Sequence, residues 1–75
     1  MELKALLIQG EPDKRHYRVF TEDERGREKW RDVDSAVFWQ IHESAGQPEY
    51  TEPGYWTYNN LPIEWDDVLP ARSIY

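Results

Sequence analysis

Residues 50 to 67 read YTEPGYWTYNNLPIEWDD and hold Tyr50, Tyr55, Trp56, Tyr58 and Trp65, in a chain with four Trp, five Tyr and two Phe in all. That concentration constrains the fold because the chain has 75 residues and no cysteine. A domain of this size buries only about 60–65% of its unfolded surface, and neither a disulfide nor a thiolate metal site is available to help. Each aromatic side chain can bury roughly 150–250 Å². The aromatics are therefore expected to build the core of one small domain spanning residues 1–75, and the question is which of them remain for a partner.

The pattern of apolar residues gives the elements. Leu3 to Ile8 (LKALLI) is a short apolar run stopped by Gly10, Pro12 and Asp13, which predicts a strand largely covered on both faces. His16 to Glu22 alternates and predicts a second strand. Asp23 to Arg27 (DERGR) has Gly26 where a type I turn followed by a left-handed residue needs it, a common hairpin connection. The register expected from that turn sets Val19 opposite Trp30, Glu22 opposite Arg27 and Arg18 opposite Arg31. It places Arg18, Phe20, Lys29 and Arg31 on one sheet face.

Asp34 can accept hydrogen bonds from the free amides of a helix beginning there, and Gly46 followed by Pro48 supplies the stop. Between them Val37, Phe38, Ile41 and Ala45 recur at spacings of three and four, with Trp39 at the edge of that stripe. A helix of about ten residues is marginal alone, so it must pack on the sheet. Asn59-Asn60 reads as a two-residue hairpin turn, since Asn tolerates positive φ. Folding there puts Trp56, Tyr58, Leu61, Ile63 and Trp65 on one face and Tyr55, Thr57, Pro62 and Glu64 on the other, with Pro62 disfavouring a central position. The last residues, VLPARSIY, read as a short strand or a tail laid over the core. The expected fold class is α+β: an antiparallel sheet of about four to five strands, in the order β-β-β-α-β-β, with one helix packed on one face.

The formal charge of −6 favours solubility and disfavours nonspecific binding to a phosphate backbone. It is unevenly spread. Residues 1–31 hold eight Lys/Arg against seven Asp/Glu, whereas residues 32–75 hold Arg72 against eight Asp/Glu, so the parts carry +1 and −7. No apolar run approaches the roughly 18 residues of a membrane span, and no signal or lipidation motif is present. A soluble, cytoplasmic protein with no membrane partner is expected.

The chain carries no Gly-x-Ser-x-Gly elbow, no phosphate-binding loop and no dinucleotide fingerprint. His16 and His42 lie far apart; His42 falls near the helix C-terminus, where the dipole favours a cation. The acidic groups Glu22–Glu24 and Glu64–Asp67 fall at a hairpin tip and a strand end, where the enclosure that acid–base or divalent-cation chemistry needs is rarely supplied. No catalytic residue, no metal ligand and no cofactor is expected, and the chain is read as non-enzymatic.

Two binding surfaces compete. The first is an acidic surface of Glu43, Glu49, Glu52, Glu64, Asp66 and Asp67 with Tyr50 and Tyr55 as aromatic anchors, suited to a basic surface on a partner protein. A nucleic-acid-handling complex, whose channel is lined by Lys and Arg, is a natural source of such a surface. In size and charge the chain is similar to small acidic inhibitors made by phages and mobile elements, including anti-CRISPR, anti-restriction and polymerase-inhibiting proteins. The second surface is the basic strand pair of Arg18, Phe20, Lys29 and Arg31, which could stack and neutralise single-stranded nucleic acid. A monomer or a homodimer formed through a free sheet edge fits either reading.

Overall fold

A computed structural model describes residues 1–63. It is an α+β structure of five strands and one helix: β1 (Glu2–Gln9), β2 (His16–Glu22), β3 (Glu28–Val33), α1 (Ser35–Ala45), β4 (Tyr50–Glu52) and β5 (Tyr55–Pro62). The strands form one antiparallel sheet in the spatial order β3-β2-β1-β5-β4. The expected chain order of elements is the observed one. The reading of VLPARSIY, and the positions of Glu64, Trp65, Asp66 and Asp67, lie outside the described residues.

The β1 segment does not simply alternate, and a bulge explains why. Leu3 pairs with Thr21 and Ala5 with Phe20, so Lys4 is an extra residue on β1. Inserting it turns Leu3 and Leu6, three apart, toward the same side. Both are fully buried, in one cluster with Val19, Val37, Phe38, Ile41 and Tyr58. The helix thus contributes three of the residues predicted from its apolar stripe to a core shared with β1, β2 and β5. Asp34 occupies the N-cap position with an extended backbone, and its carbonyl accepts the Phe38 N–H at 2.9 Å. Its carboxylate does not bond the first-turn amides, contrary to expectation. Gly46, at φ 74°, ends the helix as expected.

The β2–β3 register differs from the expected one by a single residue. Observed pairs are Arg18 with Asp32, Val19 with Arg31, Phe20 with Trp30 and Glu22 with Glu28. The loop is the reason: Asp23 N–H donates to the Arg27 carbonyl (2.9 Å) and Gly26 N–H to the Asp23 carbonyl (3.0 Å). Three residues, Glu24 to Gly26, therefore span the turn, with Gly26 left-handed at φ 79°. The Asp23 carboxylate locks this form by accepting the Arg25 and Arg27 amides, each at 2.9 Å. A slip of one residue moves every β3 side chain to the other face.

The hairpin expected at Asn59-Asn60 is also replaced. β5 runs through those residues and pairs along β1, with Leu3 opposite Leu61 and Ala5 opposite Thr57. Three residues of β5, Tyr58 to Asn60, thus stand against Lys4 alone, and Asn60 absorbs the distortion at φ 49°. The hairpin instead closes at Pro53-Gly54, where β4 meets β5. Gly54, at φ 80°, has its carbonyl bonded to the Ile8 N–H at 2.8 Å. The described members of the core set predicted from this stretch nevertheless match, because Trp56, Leu61 and Ile63 pack against the buried cluster that includes Tyr58.

Candidate functional site

With the observed registers, two rows of side chains cross all five strands on the side opposite the core cluster. The first is Trp30, Phe20, Ala5, Thr57 and Tyr50 in the order β3 to β4; the second is Asp32, Arg18, Leu7, Tyr55 and Glu52. In the first row Phe20 and Trp30 stack, with ring centroids 4.7 Å apart and an interplanar angle of 27°. The small side chains of Ala5 and Thr57 separate that pair from Tyr50 at the far border. Trp30 is 39% and Tyr50 54% exposed, high for aromatic side chains in so short a chain.

The second row supplies charge. Arg18 Nε lies 3.0 Å from Asp32 Oδ1, an ion pair whose N–H is not directed at the oxygen. Glu52 accepts the Tyr50 hydroxyl at 3.1 Å, and that carboxylate raises the Tyr50 pKa above its ordinary value. A third group closes the row ends: Lys4, the bulge residue, bonds Glu28 and Glu22, and the Glu28 carboxylate holds its ammonium above the ordinary lysine value. Glu2 stands opposite Glu22 on the same side. The cations of this face, Lys4 and Arg18, are thus each held by carboxylates, whereas Glu2 and Glu52 have no cation bonded to them in the described residues.

The structure divides both predicted surfaces. Of the acidic set, Tyr50, Glu52 and Tyr55 come together at the β4–β5 end of the two rows. Glu43 is exposed on α1, and Glu49 precedes β4 with its N–H bonded to the Thr57 carbonyl at 2.8 Å. Of the basic set, Arg18 and Phe20 share the far face, but Lys29 and Arg31 project from the opposite one, where Arg31 Nε meets Thr21 Oγ1 at 3.4 Å. Their expected grouping is corrected by the three-residue turn. Sequence reasoning placed Thr57 with Tyr55 away from the core, as observed, but missed Trp30, Asp32, Ala5 and Leu7 as members of this face. For Trp30 and Asp32 the signal was the DERGR turn, because a type I turn followed by a left-handed Gly26 spans three residues and closes on Asp23 and Arg27.

A second aromatic group lies on the helix side. Trp39, 44% exposed, makes edge contacts with Phe38 (5.0 Å), His42 (5.4 Å) and Trp56 (6.1 Å), and His42 packs against Trp56 at 4.9 Å. These rings roof the core and accommodate His42. Depressions of about 400 Å³ flank the β2–β3 turn, one lined by Met1, Asp23, Glu24, Arg25 and Arg27. Among the described residues no group of three or more His, Asp or Glu is arranged to hold a metal ion, and no helix is long and apolar enough to cross a membrane. Comparison with known protein families, curated proteins and solved structures finds no match to this chain.

Proposed function

We propose that this chain is a non-enzymatic protein-binding module. The helix packs over one sheet face, and the opposite face docks on a partner through its row of aromatic and small side chains. The observation that carries this reading is the row Trp30, Phe20, Ala5, Thr57, Tyr50, which places exposed aromatics at both ends of a five-strand face. Aromatic anchors of this kind supply most of the energy in protein interfaces.

The charge around the row selects the class of partner. Glu2, Glu22, Glu28, Asp32 and Glu52 outweigh Lys4 and Arg18, and both cations are already ion-paired. Such a surface suits Lys and Arg side chains, which can also stack on Trp30 and Tyr50. A cytoplasmic protein that acts by covering the basic channel of a nucleic-acid-handling complex, as an inhibitor would, fits this chemistry. Single-stranded nucleic acid fits less well, because Lys29 and Arg31 do not share the face of Arg18 and Phe20.

The test is capture of partners from nuclease-treated and untreated host lysate by the wild-type chain and by Tyr50→Ala/Glu52→Lys, with circular dichroism as the fold control. A protein retained after nuclease by the wild type, and lost by the folded variant, supports the reading. Retention that disappears with nuclease treatment points to nucleic acid and overturns it.

A further inference from the structure

The hydrogen-bond phase of β3 determines what its outer edge offers. The Asp23 N–H bonds the Arg27 carbonyl where the turn closes, which makes this a hydrogen-bonding position, and antiparallel ladders alternate bonded and non-bonded pairs from there. Lys29, Arg31 and Val33 are therefore the residues that bond β2. Glu28, Trp30 and Asp32 turn their backbone N–H and C=O outward, along a border where no further strand of the described residues lies.

The other border is guarded. β4 has three residues, set between Pro48 and Pro53, and the part of β5 beyond its reach carries the Asn59-Asn60 bulge and Pro62. Short strands, bulges and proline all blunt an edge. β3 has six residues, EKWRDV, and no proline.

Charge protects β3 from its own copy instead. Antiparallel pairing about a two-fold axis at Trp30 sets Glu28 opposite Asp32 and Lys29 opposite Arg31 of the second copy. Moving the axis one residue sets Lys29 opposite Lys29, or Arg31 opposite Arg31. Like charges directly opposed destabilise a strand pair, so the charges of this edge disfavour the homodimer and suit a strand of complementary charge.

We propose that the β3 edge takes an extended segment of the partner protein as a further strand. That segment carries carboxylates opposite Lys29 and Arg31, and cationic or apolar side chains opposite Glu28, Trp30 and Asp32. Main-chain hydrogen bonds to the outward groups provide attachment, and the alternation of charge sets the register. The proposal rests on the reading of the chain as a protein-binding module and adds a second contact, four strands away from Tyr50.

The probe is the peptide TKEVEKT, with the charge-inverted TEKVKET as its control, titrated into the full isotope-labelled chain and followed by NMR. TKEVEKT is expected to shift residues 28–33 and to slow amide exchange at Glu28, Trp30 and Asp32, binding about tenfold or more tightly than TEKVKET. Lys29→Glu, at an exposed position, should narrow or reverse that preference. No change at these amides at millimolar peptide, or equal binding of the two peptides, overturns the proposal. Tyr50→Ala separates it from the docking of the opposite face: an unchanged TKEVEKT titration supports the edge even where partner capture is lost. Shifts confined to Tyr50 and Tyr55 overturn the edge proposal.

Discussion

Phe20 and Trp30 stand directly opposite each other on β2 and β3 and stack at 4.7 Å, on the sheet face that contributes nothing to the buried cluster. A stack in that position contributes to the fold and to a surface at once. Trp30→Ala is expected to lower unfolding stability by about 1–2 kcal/mol, from the lost stacking and partial burial. Urea denaturation measures it. The folded variant should also capture less partner, whereas Trp39→Ala, on the helix side, should leave capture unchanged. Equal loss of capture in both variants would mean that the far face is not the docking surface.

How much of this face could be read beforehand turned on one residue of register. The alternation of β2, the stripe of α1 and the core membership of Trp56, Tyr58, Leu61 and Ile63 were legible, because each depends on local periodicity. The partners of β3 were not, because pairing Glu22 with Arg27 leaves four residues in the loop, whereas a type I turn with a following left-handed Gly26 has three and closes on Asp23/Arg27; the Asp23 carboxylate adds two bonds to that form. Moving the pairing by one residue brought Trp30 to Phe20 and sent Lys29 and Arg31 away from Arg18. In β5 the local signal was misleading: Asn60 does have positive φ, but it serves a bulge against β1 rather than a turn. That choice depends on long-range pairing, which no local window contains.

The role of Asp23 makes acid stability a readout of that register. Hydrogen bonds from the Arg27 and Arg25 amides, with the Arg27 side chain at 3.0 Å, hold the Asp23 carboxyl below its ordinary value. A carboxylate whose pKa is lower folded than unfolded stabilises the fold above the unfolded value, about 3.9, and that contribution is lost as pH falls through the folded one. Wild type should therefore lose stability relative to Asp23→Asn as pH falls from about 5 through the acid range. Thermal denaturation across that range checks it, and parallel curves for the two proteins would remove Asp23 as the lock.

Asn60 provides a test of the β5 bulge that is independent of charge. Its φ of 49° is tolerated by Asn and Gly and resisted by branched side chains. Asn60→Gly is expected to change stability by a few tenths of a kcal/mol at most, and Asn60→Val to cost roughly 1–2 kcal/mol. Chemical denaturation of the pair measures the difference. Equal stability of the two would mean that residue 60 does not occupy the left-handed region.

Tyr58 is buried among the core residues, yet its hydroxyl has no hydrogen-bond partner among the described residues. Burial alone raises its pKa, since no charged or hydrogen-bonding neighbour contributes. The ring is needed where β5 meets the cluster; the hydroxyl is not. A buried polar group without a partner costs about 1–3 kcal/mol, so Tyr58→Phe should leave the fold intact and be neutral or stabilising by up to about 1 kcal/mol. Tyr58→Ala, which empties the site, should cost about 3–5 kcal/mol, as large aromatic truncations do, and in so small a domain that can exhaust the stability available. The midpoints of urea unfolding for the two variants give the comparison. Clear destabilisation by Tyr58→Phe would show that the hydroxyl has a partner in solution.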